Sequence, residues 1–222
     1  MPRIVRLIAF VLLMGSTLRA HADGKVGVYG IYLIPNGADA TEYSRPGWGV
    51  GIHIVAPVPQ IGNILAGTAG FEFVNLLSET KVYRDPRTQL RTEQQTEQTY
   101  LRLFVGGQVG GHGNGFLRPH GGANIAIVYY GISTDVVVPD DFNREREIRQ
   151  SLRNSGKVAF GYDVTLGLDL NFSNRIALDM GVRYMKSFSV PQQLGDGSVA
   201  ISPQYFQAYF GIGVSFDMLS EL

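Results

Sequence analysis

The chain has 222 residues with 19 basic and 19 acidic side chains, and this balance argues against nucleic-acid binding, which depends on a basic stripe. It contains no cysteine, which excludes disulfides, thiolate metal sites and a lipid-modified cysteine behind a leader. Its 28 glycines, its 11% aromatic content and the scarcity of helical periodicity favour an all-β chain, and its length fits one barrel or sandwich.

The first 22 residues have the layout of a secretory signal peptide. Arg3 and Arg6 precede an apolar run over 7–14, and small residues surround the predicted cleavage site after Ala22. The run is shorter than the roughly 20 apolar residues of a membrane-spanning helix, which argues against an uncleaved anchor. Cleavage removes three of the 19 basic residues and no acid, so the mature chain has 16 basic against 19 acidic residues and is mildly acidic.

Eight strands are predicted in the mature chain. Successive side chains of a strand point to opposite faces, so alternation of bulky apolar with small or polar residues identifies them. The predicted strands are 25–33, 48–56, 65–74, 99–106, 117–131, 158–170, 176–184 and 204–216.

The predicted connections alternate between long and short. The long ones are 35–46, 78–95, 133–157 and 189–203, and the short ones are 57–62, 110–115 and 171–174. The segment 140–154 in the longest connection has early acids and many arginines, and it is interpreted either as a short helix or as a solvated loop. An even-stranded meander with short turns at one end and long loops at the other is the layout of an outer-membrane barrel.

The last predicted strand shows the alternation most clearly, but the pattern alone does not say which face is inside. Its apolar face carries Phe206, Ala208, Phe210, Ile212, Val214 and Phe216. A soluble sheet would bury that face, whereas a membrane barrel would turn it to lipid. In the hairpin 158–188, aspartates and Arg183 lie opposite a continuous apolar row, which favours charges in the lumen of a barrel.

The inward polar residues are predicted to form an ion-paired plug, because eight strands enclose a space that side chains just fill. Counting from the short turns at about 3.3 Å per residue places one group near mid-depth and another near the short turns. The first group is Glu72, Arg102, Asn124, Asp163 and Arg183. The second group is His53, Arg118, His120, Asp169 and Asp179. The expected pairs are Glu72 with Arg102, Asp163 with Arg183, and Arg118 with Asp169; the alternative use is a proton or ion path.

No catalytic, cofactor or metal site is predicted. The mature chain has three histidines, His53, His112 and His120, and all fall toward the short turns without a serine nucleophile in a recognisable triad. They also lack the spacing of metal ligands. Loop arginines are interpreted either as solvated charges or as contacts to lipopolysaccharide phosphates or a partner surface. These arginines are Arg144, Arg146, Arg149 and Arg153.

Three segments resemble the small outer-membrane barrels of Gram-negative bacteria, the group of the outer-membrane protein A barrel and its adhesin and porin-family relatives. They are LRPHGG at 117–122, GYDVTLGLDLNFSNRIALDMGVRY at 161–184, and the C-terminal strand. The resemblance implies an outer-membrane location, contact with outer-membrane lipid and lipopolysaccharide, and recognition by the barrel assembly machinery. Phe216 looks like the terminal aromatic residue of the family, although residues 217–222 follow it.

The sequence therefore predicts an all-β, eight-stranded antiparallel up-and-down transmembrane barrel over 23–216, with a signal peptide at 1–22 and a short tail at 217–222. The expected role is structural or surface-interacting, with at most a narrow pore, in a monomer that is not an enzyme. Two alternatives stay open: a carrier for small apolar molecules, and a soluble periplasmic lipid-binding barrel. A membrane barrel would place Asp163 and Arg183 in its lumen, whereas a soluble barrel would place them on its outer surface.

Overall fold

The computed structural model describes residues 24–58, 64–84, 91–110, 115–138, 148–173, 175–188, 190–194 and 197–216. The predicted signal peptide at 1–22 and the predicted tail at 217–222 lie outside these ranges. The elements in chain order are β1 Lys25–Asn36, α1 Ala38–Tyr43, β2 Gly47–Pro57, β3 Leu65–Arg84, β4 Arg91–Gly110, β5 Leu117–Val138, β6 Ile148–Asn171, β7 Ile176–Ser187, β8 Val190–Leu194, β9 Gly197–Ile201 and β10 Gln204–Ser215.

Eight strands, β1 to β7 and β10, form a closed barrel in the order β1-β10-β7-β6-β5-β4-β3-β2. Every neighbouring pair is antiparallel. β1 closes the barrel on β10, from Lys25 opposite Ser215 to Asn36 opposite Gln204. Closure leaves no free strand edge within the ring. The predicted eight-stranded antiparallel up-and-down barrel is confirmed.

The two ends of the barrel differ in their connections. β1 begins and β10 ends at one end, where the β2–β3, β4–β5 and β6–β7 connections also lie, and we call it the short-turn end. The opposite end, which we call the long-loop end, carries the remaining connections. There α1 lies between β1 and β2, and the β8–β9 hairpin lies between β7 and β10. No helix in the described ranges is long and apolar enough to cross a membrane.

Two predicted loops at the long-loop end are largely strand. β3 runs to Arg84 and β4 begins at Arg91, with continuous pairing between them, so the connection predicted at 78–95 is wrong over most of its length. β5 likewise runs to Val138 and β6 begins at Ile148, within the connection predicted at 133–157. The two hairpins together form a four-stranded sheet above the barrel, which we call the sheet extension: residues 77–84, 91–98, 132–138 and 148–155.

The helix considered at 140–154 is wrong for its described part, because 148–154 is strand; residues 139–147 lie outside the description. These strands could not be recognised in the sequence, because alternation of apolar and polar residues identifies a strand only when one face is apolar. A β-bulge at Asn75/Leu77 marks where the extension begins on β3, and a second irregularity at Thr134/Asp135 lies within the extension. A bulge breaks the period of two and adds local twist, so it further obscures the pattern.

The outer face of the barrel carries an apolar belt. On β6 the outward row occupies every second position from Val158 to Leu170, and Leu166 in this row is 65% exposed. Twelve residue steps of about 3.3 Å, tilted by about 40°, span roughly 30 Å along the barrel axis, the thickness of a bilayer core. Other exposed members of the belt are Val28, Val50, Ile52, Ile54, Phe71, Phe73, Val105, Ile125, Phe160, Val182, Phe206, Phe210 and Ile212.

Candidate functional site in the barrel lumen

Glu72 on β3 is the centre of a buried charge network at mid-depth. Its side chain is fully buried and accepts four hydrogen bonds. The donors are Tyr29 Oη at 2.8 Å, Arg102 Nη1 at 2.8 Å, Gln207 Nε2 at 3.1 Å and Arg183 Nη1. A carboxylate with this many donors, two of them cationic, is compensated for the loss of water.

Asp163 on β6 is the second buried carboxylate of the network. It accepts hydrogen bonds from Arg102 Nη2, from Asn124 Nδ2 at 2.7 Å and from Thr165 Oγ1 at 3.1 Å. Arg183 Nε lies 3.4 Å from its Oδ1. Glu72, Arg102, Asp163 and Arg183 form what we call the ionic layer. Two negative and two positive charges balance within it, which is the condition for tolerating buried ions.

Aromatic rings support the ionic layer from the short-turn side. The guanidinium of Arg102 lies 4.3 Å from the ring centre of Phe104, and that of Arg183 lies 5.0 Å from the same ring. Arg183 is also 5.3 Å from the ring centre of Tyr209. These distances fit cation–π contacts. Each guanidinium is therefore held by carboxylates at its edge and by a ring at its face.

A layer of tyrosines closes the lumen on the long-loop side of the ionic layer. The ring centres of Tyr100 and Tyr130 are 5.5 Å apart, and Tyr205 lies 5.8 Å from Tyr100 and 6.5 Å from Tyr130. We call these three residues the tyrosine layer. α1 packs above it, because Ala40 is buried in the same cluster and Ser44 Oγ lies 3.1 Å from Tyr205 Oη. Two successive layers of side chains therefore lie across the described lumen.

A second polar group lies toward the short-turn end. Lys25 Nζ is 2.5 Å from Asp169 Oδ1 and 3.9 Å from Asp179 Oδ2. His53 Nε2 is 3.3 Å from Asp179 Oδ2, and His120 Nε2 is 3.8 Å from Asp179 Oδ1. We call His53, His120, Asp169 and Asp179 the histidine–aspartate cluster. A cavity of about 20 Å³ adjoins it, lined in part by both histidines and Asp179.

The structure brings most of the predicted lumen residues together. Asn124 joins the ionic layer through Asp163, and Asp169 and Asp179 meet in the histidine–aspartate cluster. The expected pair of Arg118 with Asp169 is wrong. The two residues are opposite in register, but Arg118 is half-buried and its Nε donates to Gly115 O at 3.2 Å, while Asp169 binds Lys25.

The structure does not describe the side chains of the four predicted loop arginines. Arg144 and Arg146 lie outside the described residues. Arg149 and Arg153 lie on β6 in the sheet extension, and their side chains are also outside the description. A contact with lipopolysaccharide or a partner therefore stays a prediction for all four.

Sequence reasoning missed several lumen residues that contact the predicted ones. Tyr29 and Gln207 donate to Glu72, and Lys25 binds Asp169. Each of these residues occupies a position on the lumen-facing side of its strand. The alternation along the strand was the only feature of the sequence that could have identified them. Tyrosine is common at membrane interfaces as well as in cores, so residue type alone does not place the tyrosine layer in the lumen.

Comparison with solved structures supports the barrel assignment. Neisserial surface protein A superposes with a TM-score of 0.56 at 13% sequence identity, over 87% of this chain and 97% of that one. The attachment invasion locus protein Ail of Yersinia pestis, in complex with the heparin analogue sucrose octasulfate, gives a TM-score of 0.44 at 12% identity, over 86% of this chain and 95% of Ail. A major outer-membrane protein from Thermus thermophilus gives 0.44 at 10% identity, over 87% and 99%.

No protein-family model matches the sequence, and no curated protein matches it either. At 13% identity the likeness to Neisserial surface protein A concerns the fold, and the two lower TM-scores add nothing to it. Strand number, closure and strand direction agree with that likeness. The chain therefore has the fold of the small eight-stranded outer-membrane barrels.

Proposed function

We propose that the chain is an integral outer-membrane barrel, closed to solutes, whose role is structural or surface-interacting. The observation that carries the proposal is that charged side chains lie inside the barrel and apolar side chains lie on its outer face, the reverse of a water-soluble protein. Glu72 and Asp163 are fully buried in the lumen, whereas Ile125 and Leu166 on the outer face are 68% and 65% exposed. In water, the belt would be an apolar patch far larger than the few hundred Å² that soluble monomers expose.

The soluble lipid-binding alternative requires the reverse arrangement, with Asp163 and Arg183 on the outer surface and an apolar cavity inside. Both residues line the lumen instead and are 0% and 4% exposed. The carrier alternative requires an apolar passage. The ionic layer and the tyrosine layer occupy the described lumen at the depth where such a passage would run. We therefore favour a barrel without a solute path.

The surface role falls to the sheet extension in this proposal. β2 pairs with β3 only as far as Asn75, and β7 pairs with β6 only as far as Gly161, so the outer strands of the extension rise above their barrel neighbours. Strand edges of this kind can accept an added strand from a partner. Val82, Tyr83 and Leu152 add exposed apolar surface there. A cell-surface partner would meet this part of the chain first.

The remaining partners follow from the same proposal. Outer-membrane lipid would contact the apolar belt, and lipopolysaccharide phosphates would contact arginines near the long-loop rim. The backbone N–H of Phe216 donates to Gly24 O at 2.8 Å, so the last aromatic residue is docked on the start of β1, where assembly machinery would complete closure. We propose a monomer after export and no catalytic role, because the described histidines lie near the short-turn end, away from outer-leaflet acyl chains.

Gel mobility and conductance together test the proposal. The membrane fraction should give a fast-migrating band without boiling that slows after boiling, because a closed barrel resists detergent until it is heated. The purified barrel in a planar bilayer should show no steady conductance above that of the lipid alone. Recovery in the soluble periplasmic fraction would overturn the membrane assignment, and a stable ohmic current would overturn the closed lumen.

A further inference from the structure

The histidine–aspartate cluster has the composition of a metal site that the sequence did not indicate. Its four members come from four different strands, β2, β5, β6 and β7, and they converge at the short-turn end of the lumen. One ligand atom from each of His120, Asp169 and Asp179 lies within 4.8 Å of the others. His53 is not in that group of three, but its Nε2 lies 3.3 Å from Asp179 Oδ2. The distance along the chain between the histidines is what hid this grouping from sequence spacing.

Buried polar atoms in the cluster lack hydrogen-bond partners among the described residues. They are His53 Nε2, His120 Nδ1 and Asp179 Oδ1, on side chains of residues that are 7%, 7% and 3% exposed. Buried donors and acceptors normally find partners, because an unsatisfied one keeps its full desolvation cost. Three such atoms on three neighbouring side chains mark a place where a further group would be bound.

The charge of the cluster favours a divalent cation. Asp169 and Asp179 share the ammonium of Lys25, which lies much closer to Asp169 than to Asp179. A divalent ion would neutralise both carboxylates. The Lys25 side chain is 15% exposed, so its ammonium can turn toward the short-turn opening when the ion binds.

The chemistry of the donor set favours one class of metal. Two imidazole nitrogens and two carboxylate oxygens suit zinc and similar transition ions rather than calcium or magnesium, which prefer oxygen ligands alone. In a tetrahedral site with bonds of about 2.0–2.2 Å, neighbouring donors lie about 3.3–3.6 Å apart. Asp179 Oδ2 lies 3.3 Å from His53 Nε2, whereas the donor atoms of His120, Asp169 and Asp179 lie within 4.8 Å of one another and would move closer together as the ion binds.

The strands next to the histidines leave room for their rings. A Cβ on Gly27 would overlap Nε2 of His53, and a Cβ on Gly167 would overlap the ring of His120. Tyr209 Oη lies 3.3 Å from His120 Nε2, so one nitrogen of this ring has a hydrogen-bond partner, and Nδ1 has none in the described part of the chain. A partner on the second nitrogen is how metal-binding histidines are usually oriented.

We propose that His53, His120, Asp169 and Asp179 bind one divalent transition-metal ion, with zinc the best fit, and that Lys25 occupies this place when the ion is absent. The ion would tie β2, β5, β6 and β7 together at the short-turn end. It would therefore stabilise the folded barrel in proportion to its free concentration.

Cobalt(II) is the probe for the test, because its visible spectrum reports a tetrahedral nitrogen–oxygen site directly. Detergent-folded barrel is titrated with cobalt(II) and then with zinc, and the temperature of the heat-induced mobility shift is measured with and without zinc. We expect one equivalent bound, tetrahedral bands displaced by zinc, and a raised transition temperature. Asp179→Asn and His53→Gln should weaken binding by tenfold or more, whereas the exposed carboxylate variant Glu79→Gln should bind like the parent.

Lys25→Met keeps the test decisive if a ligand variant fails to fold, since it leaves all four ligands in place. Removing the competing ammonium should tighten cobalt binding. The proposal is overturned if the parent binds no saturable equivalent, if the bound ion has an octahedral spectrum, or if binding is indifferent to Asp179→Asn and His53→Gln. Unchanged affinity in Lys25→Met would also overturn it, because any bound ion would then lie elsewhere.

Discussion

Replacing Glu72 by glutamine should strongly destabilise the barrel. Glu72 is fully buried and binds both guanidinium groups of the ionic layer, Arg102 and Arg183. Glutamine keeps the side-chain volume, so no cavity contributes, but it leaves two buried positive charges facing Asp163 alone. Removing one partner from a buried ion pair costs about 3–5 kcal/mol. We expect the free energy of unfolding to fall by an amount in that range.

Charge balance can be separated from simple loss of contacts by a second substitution. In Glu72→Gln with Arg102→Met, the buried charges of the ionic layer that remain are Asp163 and Arg183, which balance and lie 3.4 Å apart. The double variant should therefore lose less stability than the sum of the two single variants. Residues in one buried network couple by about 0.5–3 kcal/mol, and we expect the upper half of that range.

The measurement is equilibrium unfolding in urea with the barrel in lipid vesicles. Trp48 is the one tryptophan in the sequence and is 71% exposed on the outer face, so its fluorescence follows transfer from lipid to water. Glu79→Gln is the matched control, because Glu79 is an exposed carboxylate 3.7 Å from Lys81 and should change stability by no more than about 0.5 kcal/mol. A loss for Glu72→Gln equal to that control, or strict additivity in the double variant, would refute the account of the lumen.

Three other predictions concern the belt, the sheet extension and the packing of glycine. Leu166→Arg, inside the belt, should cost about 2–4 kcal/mol of unfolding free energy in vesicles, whereas Leu152→Arg in the sheet extension should be nearly neutral although both leucines are similarly exposed; equal costs would contradict the membrane boundary. Replacing 77–98 by an Asn-Gly turn should leave heat-modifiable folding intact, and loss of the fast-migrating band would show that the extension is needed for the barrel. Gly167→Ala should lower the transition temperature because its Cβ would overlap His120, while Gly107→Ala makes only ordinary contacts and should not, so equal shifts would count against that packing.

The sequence could predict the barrel because the membrane imposes the same alternation on every spanning strand. On β10, the alternation of residues along the strand is sufficient to predict that the phenylalanines point outward and that Gln207 and Tyr209 point inward. The same alternation, combined with depth counted from the turns, brought Glu72 and Arg102 to one level, and they are register partners 2.8 Å apart. Alternation and depth are geometric consequences of a regular strand, so they survive without knowledge of side-chain conformations.

Two kinds of feature could not be predicted from the sequence. One is the choice of partner by a long side chain, and the other is a strand that lies beyond the apolar belt. Arg118 and Asp169 are opposite in register, yet Lys25 from β1 reaches across to Asp169. A flexible cation selects its partner by length and direction, which register does not fix. The sheet extension was not predicted for another reason. Its backbone pairing continues through polar sequence, where no alternation of apolar and polar residues identifies a strand.

Site-directed spin labelling in vesicles tests the central claim most directly, namely that the outer face of the barrel lies in lipid. The chain has no cysteine, so single cysteines at Ile125, Leu166 and Leu152 can be labelled without background. We predict that labels at Ile125 and Leu166 are relaxed strongly by oxygen and weakly by a water-soluble nickel chelate, and that the label at Leu152 shows the reverse. If labels at Ile125 and Leu166 were as accessible to the chelate as the label at Leu152, the belt would be facing water and the membrane account would be wrong.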